Sequence, residues 1–232
     1  VDKFLRSQFK GVSWQNNYLK PIIRTLDIPD WMLCQLNGRG HLPRYSVRVR
    51  SDGVTKQLGG QRFDYFGEFT AQTIVDLAEL TPQSQVLEIG CGAGRTALAL
   101  TKRLNEGNYT GVDIDAVSIA SCQRNRRFQE NHFTFKHINV QNMMYNPEGK
   151  EASTTYTFPF KDESVDAIFM ISVFTHMLPA EVTHYISEIS RMLKPGGKCV
   201  LSTFIMDYGT DGQIVSFPFH RGDYHLHVEN IP

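Results

Sequence analysis

Residues 69–204 alternate short apolar runs with amphipathic segments, and this pattern constrains the fold more than any other feature of the chain. An apolar run between turn signals is typical of a buried strand, whereas apolar residues at every third or fourth position predict a helix. Strands that alternate with helices form a parallel sheet covered by helices. The pattern predicts strands at 85–90, 109–115, 132–140, 165–172 and 198–204, and helices at 69–80, 95–104, 116–128 and 179–193.

These five strand–helix units predict an α/β fold with a Rossmann-like, doubly wound sheet that is mostly parallel and has helices on both faces. Residues 63–232 are assigned to this domain, with a long polar insertion at 141–164. Residues 1–62 are assigned to a basic and aromatic extension that acts as a lid or binds substrate. In it we expect one or two short helices, followed by an irregular or hairpin-like stretch around "RYSVRVRSDGVTKQLGG".

The composition of the 232 residues excludes several classes of protein. No run approaches the roughly 18 apolar residues that a membrane-spanning helix needs, so we expect no membrane partner. The four cysteines stand far apart, without a C-x-x-C pair or a metal-ligand spacing, so the sequence predicts no metal site. Isolated cysteines of this kind are typical of reduced thiols, and we expect a cytoplasmic protein.

The charges are unevenly distributed, although the formal net charge is zero. Residues 1–62 hold 11 lysines and arginines against 4 acidic residues, a net of +7, which leaves −7 in residues 63–232. A basic arm can bind nucleic acid or an acidic substrate. It can equally pack on the acidic body of the same chain, and the sequence does not decide between these alternatives.

A glycine loop follows the first predicted strand in "VLEIGCGAGRTALAL", residues 86–100. Glycines here permit positive φ angles and let a ligand approach the backbone and the start of the next helix. The dinucleotide fingerprint G-x-G-x-x-G would need glycine at position 95, which is Arg95, and no P-loop tripeptide G-K-[ST] occurs. Glu88 would repel a pyrophosphate, so the loop suits a ligand that presents an ammonium group.

Four motifs in order carry a resemblance to a known family. They are "EIGCGAG" at 88–94, "GVDID" at 111–115, "FPFKDESVDAIFMISVFTHML" at 158–178 and "ISRMLKPGGKCVLSTF" at 189–204. The chain resembles the class I S-adenosylmethionine-dependent methyltransferases over residues 69–204, and looks most like their small-molecule branch. The resemblance implies S-adenosyl-L-methionine as cofactor, S-adenosyl-L-homocysteine as product, and a sheet that ends in antiparallel strands. Only 28 residues follow Phe204, so we expect these final strands to be missing, unless the runs at 214–219 and 224–229 form a hairpin.

The resemblance also implies the residues that hold the cofactor. Glu88 would support the glycine turn and bind the amino end of the cofactor, and Asp113 would accept hydrogen bonds from both ribose hydroxyls. As alternatives, Glu88 would only cap a helix, Asp113 would only begin a turn, and Asn139 would be a plain turn residue. The other implied contacts are Gly90, Cys91, Gly92 and Gly94 around the methionine part, Ile114, Asn139 and Val140 around the adenine, and Ser172 beside the cofactor.

In the loop after the fourth strand, His176 is the candidate base and Thr175 a candidate positioning residue. As alternatives, His176 would be tied into the loop or a helix cap, and Thr175 would cap the next helix. The chain lacks the [DNS]-P-P-[YF] motif of nucleic-acid adenine methyltransferases, a Pro-Cys nucleophile and acidic metal ligands after the fourth strand. We therefore expect a small-molecule acceptor that is methylated on oxygen or nitrogen, with nucleic acid an unlikely partner. The rivals are an RNA methyltransferase that uses the basic arm and a non-catalytic cofactor-binding module. Trp14, Tyr18 and Trp31 are candidates for the acceptor pocket.

Overall fold

The computed structural model describes residues 19–52, 57–143, 145–203, 219–221 and 224–226. The strands are β1 Gln85–Ile89, β2 Asn108–Asp113, β3 Thr134–His137, β4 Val165–Ile171, β5 Leu193–Ser202, β6 Phe219–Arg221 and β7 Tyr224–Leu226. The helices are α1 Leu19–Thr25, α2 Asp27–Leu36, α3 Tyr45–Asp52, α4 Gln61–Ala78, α5 Arg95–Leu100, α6 Ala116–Gln123, α7 Arg126–Glu130 and α8 Pro179–Met192, with a 3-10 turn at Phe174–His176.

The main sheet has the strand order β3-β2-β1-β4-β5, and each neighbouring pair is parallel. The chain therefore runs outward from β1 to β3 and then returns to the other side of β1 to add β4 and β5. This reversal makes the junction of β1 and β4 the point at which open α/β sheets bind ligands. The predicted Rossmann-like, doubly wound fold is confirmed.

The central strands β1 and β4 are mostly apolar and buried, because both faces of the sheet are covered there. Successive strand residues point to opposite faces, so Val86 joins one buried cluster and Leu87 the other. The first cluster includes Ile74 of α4 and Phe128 of α7. The second includes Ile189 of α8. Full burial of such a side chain contributes about 1.5 to 3 kcal/mol, so the two clusters fix the sheet between helical layers.

Several element boundaries differ from the predicted ones for local reasons. The segment predicted as one helix at 116–128 forms two helices, because Asp115 and Asn125 each cap a new helix start with a side-chain oxygen. The helix predicted to end at 104 ends at Leu100. Helix α8 ends at Met192, and β5 begins immediately at Leu193, so the "KPGG" sequence belongs to the strand.

The expectation of a hairpin-like stretch after the first two helices is wrong at its start. Residues Tyr45–Asp52 form helix α3 instead. Tyr45 and Val49, four residues apart, pack together with Ile23 of α1. Arg48 is fully buried and donates through Nη2 to both carboxylate oxygens of Asp30 in α2, at 2.7 and 2.8 Å.

Ion pairs join the basic extension to the acidic body. Arg50 of α3 binds the carboxylate of Asp115, which precedes α6. Arg39 approaches Asp64 of α4 at 3.4 Å. These contacts agree with the alternative in which the basic arm packs on the body of the same chain.

The insertion at 141–164 follows β3 and is held against α8 by several side chains, among them Arg191. Arg191 donates to the carbonyl oxygens of Phe158 and Phe160, at 3.1 and 2.8 Å. Glu188 accepts a hydrogen bond from the backbone N–H of Phe158 and pairs with Arg191. The insertion is therefore a fixed part of the wall beside β4. Its described residues, which are all but Met144, contain no regular helix.

At the other end of the chain, β6 and β7 pair as an antiparallel hairpin in a sheet of their own. A hairpin here was the stated alternative to missing final strands. Residues 214–218, most of the first of its two predicted runs, lie outside the described residues. None of the described helices has the length and apolar character that would let it cross a bilayer.

Candidate active site

A cavity of about 240 Å³ opens at the carboxyl ends of the strands, where β1 and β4 meet. Its floor consists of the glycine loop after β1 and the turn after β2, and its rim includes residues from α3, the insertion and the loop after β4. Of the twelve residues predicted for the site, nine line this cavity: Glu88, Gly90, Cys91, Gly92, Asp113, Ile114, Val140, Ser172 and His176.

The glycine loop folds back on β2 and leaves no room for side chains. The backbone N–H groups of Gly90 and Cys91 both donate to the carbonyl oxygen of Val112, at 2.8 and 3.1 Å. Gly90 has a φ of 81°, and an added Cβ would lie 2.4 Å from the Val173 side chain. Gly94 does not line the cavity, but its φ of 76° starts α5, so it shapes the loop rather than touching a ligand.

Asp113 is held rigidly at the end of β2. One carboxylate oxygen accepts the N–H of Gly92 at 2.6 Å, and the other accepts the N–H of Asp115 at 2.7 Å. Burial raises the pKa of this carboxyl to about 6, while the backbone hydrogen bonds oppose that rise. Each carboxylate oxygen has a second lone pair, so Asp113 can still accept two hydrogen bonds from neighbouring hydroxyls.

Glu88 lies fully buried at the base of the cavity and accepts a hydrogen bond from the Tyr109 hydroxyl. Burial raises the pKa of its carboxyl to about 8, although the bond from Tyr109 and the charge of Arg95 oppose this. The group is therefore mostly protonated at neutral pH. An ammonium group in the cavity would favour the ionised form, because an opposite charge lowers a carboxyl pKa.

The cavity wall at which the resemblance places the adenine ring is apolar. One of the contacts predicted there, Asn139, is not part of it. Ile114, Ile138 and Val140 line it. Asn139 does not, because its side-chain oxygen accepts from the Asn146 amide at 3.3 Å and its backbone carbonyl accepts from Lys150 and Glu151. The proposed adenine contact of Asn139 stays a prediction that this arrangement does not support.

Both residues proposed for catalysis lie in the loop after β4, but only His176 lines the cavity. Ser172 takes a left-handed conformation with a φ of 59°, and its N–H donates to the Ser202 hydroxyl at 2.8 Å. Thr175 donates its hydroxyl to the Ser172 carbonyl at 2.9 Å and does not line the cavity. His176 lines the cavity rim, and burial lowers the pKa of its imidazole.

The cavity lining also includes residues to which the sequence assigned no individual role in the site, among them Arg50, Ser51, Asn142 and Tyr145. Arg50 binds Asp115, and the Ser51 hydroxyl accepts the N–H of Ala93 at 3.4 Å. Arg50 and Ser51 belong to the basic extension and reach the site because residues Tyr45–Asp52 form a helix. The sequence predicts no helix there. Asn142 and Tyr145 belong to a polar insertion that has no motif to mark them.

The aromatic residues proposed for the acceptor pocket are not placed there. Trp31 lies on α2 with 55% of its surface exposed and is not in the cavity wall. Trp14 and Tyr18 lie outside the described residues.

The geometry defines a Rossmann-type domain with a buried acidic residue and a glycine loop at the strand ends. Comparison with known proteins gives the family: a family model described as a methyltransferase domain matches residues 87–201. The chain belongs to the class I S-adenosylmethionine-dependent methyltransferases, and the cofactor of this family is S-adenosylmethionine.

Two curated relatives illustrate the range of the family. A tRNA N(3)-cytidine methyltransferase from Gallus gallus is 29% identical over 203 residues, which are 82% of this chain and 49% of that protein. A phthiotriol/phenolphthiotriol dimycocerosates methyltransferase from Mycobacterium ulcerans is 30% identical over 113 residues, or 49% of this chain and 35% of that protein. The chain thus spans half or less of the length of these relatives.

Among solved structures, the PH0226 protein from Pyrococcus horikoshii is similar with a TM-score of 0.47 and 20% identity, over 61% of this chain and 57% of that one.

Proposed function

We propose that the cavity binds S-adenosyl-L-methionine and that the chain transfers its methyl group to an oxygen or nitrogen of a small-molecule acceptor, leaving S-adenosyl-L-homocysteine. The observation that carries this proposal is the pair of buried carboxyl groups at adjacent strand ends. Asp113 keeps two acceptor positions open for the ribose hydroxyls, and Glu88 lies where the ammonium group would favour its ionised form. The glycine loop between them leaves room for the methionine part.

When bound, the cofactor supplies a methyl group on a positively charged sulfur, which is activated without help from the protein. The tasks of the chain are to align the acceptor with the S–CH3 bond and to exclude water. A new bond forms between the acceptor atom and the methyl carbon as the carbon–sulfur bond breaks and its electron pair stays on sulfur. His176 would take the proton from a hydroxyl or ammonium acceptor, and its lowered pKa leaves the imidazole neutral for this role.

The charges of the extension favour a small acceptor over a polyanion. Three of the arginines in the described part of the basic arm are used inside the molecule: Arg39 with Asp64, Arg48 with Asp30 and Arg50 with Asp115. Non-specific binding of nucleic acid depends on cations that are available to phosphates. We further propose that residues 1–62 act as a lid region on a domain formed by residues 63–232, since α3 contributes Arg50 and Ser51 to the cavity rim.

A second candidate is methylation of RNA. It is favoured by one observation, the similarity to the tRNA N(3)-cytidine methyltransferase, which extends over 82% of this chain and so includes part of the basic arm. Retention on a polyanion column with a steep salt dependence would support this candidate, and elution without retention at low salt would contradict it.

Isothermal titration with S-adenosylmethionine tests the core of the proposal. We expect the wild type to bind and Asp113→Ala to lose at least about 100-fold in affinity, because two hydrogen bonds to a charged group contribute roughly 1.5 to 3 kcal/mol each. Asp76→Ala is the matched control, since Asp76 is exposed on α4 and lies outside the cavity lining, and it should leave affinity unchanged. Absence of binding by the folded wild type would refute the proposal.

Turnover is tested by release of S-adenosylhomocysteine with three kinds of acceptor: a phenol, an aliphatic alcohol and a secondary amine, with tRNA as a fourth. Methylation of any of the first three supports the small-molecule assignment, whereas methylation of tRNA alone supports the second candidate. Cofactor binding without turnover on any acceptor would favour a non-catalytic module.

A further inference from the structure

The insertion after β3 reaches the loop after β4 across the mouth of the cavity. In the sheet order β3-β2-β1-β4, these two segments are separated by the ends of β2 and β1, which carry Asp113 and the glycine loop. The contact is made by Tyr145, whose ring meets the His176 ring edge to face, with centroids 5.4 Å apart and planes at 79°. Both side chains line the cavity. This pair therefore spans the strand ends that are proposed to hold the cofactor.

The turn that carries Tyr145 is held by its own hydrogen bonds. Asn142 and Asn146 exchange backbone hydrogen bonds of 3.0 and 2.9 Å. The Asn142 side-chain oxygen accepts the N–H of Tyr145 at 3.1 Å, and the Asn146 amide donates to the carbonyl oxygen of Val140 at 3.0 Å. The backbone of Tyr145 is therefore held by the turn, and its ring contacts His176 from there.

The same turn also touches the backbone of the histidine loop. The Asn142 amide group donates to the carbonyl oxygen of His176 at 3.4 Å. The His176 N–H donates to the carbonyl of Val173 at 3.0 Å and closes the 3-10 turn. Backbone and ring of His176 are thus both in contact with the insertion, so the insertion can determine which way the imidazole faces.

We infer that Tyr145 is a positioning residue for methyl transfer, whose ring holds the imidazole of His176 toward the acceptor at the mouth of the cavity. This inference rests on the proposed function, because it assigns His176 as the base. Aromatic pairs in edge-to-face geometry favour one relative orientation of the rings. The Tyr145 ring also covers part of the imidazole, which agrees with the effect of burial on the histidine pKa. The required part is the ring, so the phenol hydroxyl is dispensable for this role.

The ionisable groups around His176 determine how a change in its pKa should be interpreted. Two groups on its own side of the cavity, Glu181 and Tyr185, belong to α8, and Tyr145 belongs to the insertion. The other ionisable groups that line the cavity are Arg50, Glu88, Cys91, Arg95, Asp113 and Asp115. Burial is the cause of the lowered pKa of His176. Removal of the Tyr145 ring should therefore raise this pKa toward its ordinary value of about 6.5, because water then reaches the imidazole.

The experiment compares Tyr145→Phe, Tyr145→Leu and Tyr145→Ala, with Tyr65→Leu as the control at an exposed tyrosine on α4. The His176 pKa is measured by NMR titration of the imidazole carbons, with the resonance assigned by its loss in His176→Asn. This readout needs no acceptor. We expect Tyr145→Phe and Tyr65→Leu to leave the pKa unchanged, and Tyr145→Ala to raise it by about half a unit or more.

Activity with whichever acceptor gives turnover provides the second readout. We expect kcat to fall about tenfold in Tyr145→Ala and Tyr145→Leu with little change in KM for S-adenosylmethionine, and Tyr145→Phe to retain at least half of the activity. The acidic limb of the pH profile should move to higher pH in Tyr145→Ala together with the His176 pKa. Leucine keeps most of the volume, so it separates loss of the ring from loss of folding.

Two results would overturn the inference: an unchanged His176 pKa in a folded Tyr145→Ala, or a loss of activity in Tyr145→Phe as large as that in Tyr145→Ala. Titration of the same variants with S-adenosylhomocysteine keeps the proposed function separate. Failure of the wild type to bind it refutes the cofactor assignment, whereas normal binding by all variants with no difference in pKa or kcat refutes only the role of Tyr145.

Discussion

The two halves of the cavity are built differently. In the cofactor half, Glu88 and Asp113 are buried at the ends of adjacent strands, and their partners come from the same strands or the next turn. In the acceptor half, His176 and Tyr145 come from segments that lie 31 positions apart in the chain and meet only at the rim. The first half has a geometry fixed by the sheet, whereas the second depends on how an insertion packs against it.

This difference suggests a division of labour within the family fold. The proposed cofactor site is built from strand ends and from a glycine loop that backbone hydrogen bonds hold against β2. The insertion and the loop after β4 are surface segments, which tolerate changes of sequence without loss of the core. We therefore expect changes in the acceptor half to alter kcat, and changes in the cofactor half to alter affinity for S-adenosylmethionine and stability.

Among the variants, His176→Asn should distinguish the two halves of the cavity most clearly, because it should lower turnover without changing the affinity for S-adenosylmethionine. Loss of a general base reduces turnover by about 10²-fold to 10⁴-fold, while the dissociation constant for S-adenosylmethionine should stay within twofold of the wild-type value. Steady-state kinetics and calorimetry measure the two quantities. His132→Asn is the control, because His132 is exposed and has a positive φ that asparagine also adopts. A normal kcat in His176→Asn would mean that the acceptor half contains a different base or needs none.

We expect a smaller effect from Glu88→Gln, which changes only the cofactor half. The variant should alter how the free energy of unfolding depends on pH. The folded pKa of about 8 lies above the ordinary value of 4.5, so the protonated group stabilises the fold fully below pH 4.5. That contribution is lost as the pH rises through 8. The glutamine variant should therefore match the wild type near pH 4 and exceed its free energy of unfolding at pH 9 by about 2 to 4 kcal/mol.

Urea denaturation at both pH values measures this difference. The same variant should bind S-adenosylmethionine about tenfold more weakly, because a neutral amide replaces the carboxylate that faces the ammonium group. A wild type that gains stability between pH 5 and 9 relative to Glu88→Gln would contradict the assignment.

The smallest effect is expected where the extension meets the cofactor half, in Arg50→Gln. Although burial by itself raises it, the pKa of Asp115 is held below its usual value by hydrogen bonds from Arg50 and Ser118. Loss of Arg50 leaves this partly buried carboxylate with fewer partners, and we expect a loss of about 1 to 2 kcal/mol in the free energy of unfolding.

Arg39→Gln is a matched control, because its pair with Asp64 is more exposed and should contribute less than about 1 kcal/mol. Thermal melts with and without S-adenosylmethionine compare the two variants. Equal effects of both variants on stability and on ligand stabilisation would show that α3 plays no special part in the cofactor site.

Sequence reasoning succeeded where local pattern and function coincide. The strand and helix order of residues 69–204 follows from apolar periodicity, and the positions of Glu88, Gly90 and Asp113 follow from motifs that stand at strand ends. It was less successful for Asn139, where the position matched the family pattern but the side chain is bound to Asn146. A motif gives a position along the chain, and the direction of a side chain in a loop depends on neighbours that the motif does not include.

The sequence by itself determined the order of strands and helices, the glycine loop and the acidic residues near the ends of β1 and β2, because apolar periodicity and short motifs mark them locally. Only the tertiary structure decided that residues 45–52 form a helix, because Arg48 is buried against Asp30 and Val49 against Ile23. It also decided that Tyr145 meets His176, since that contact requires two surface segments to fold over the same strand ends. Apolar periodicity tells which face of an element is buried, but it does not tell which distant segment that face will meet.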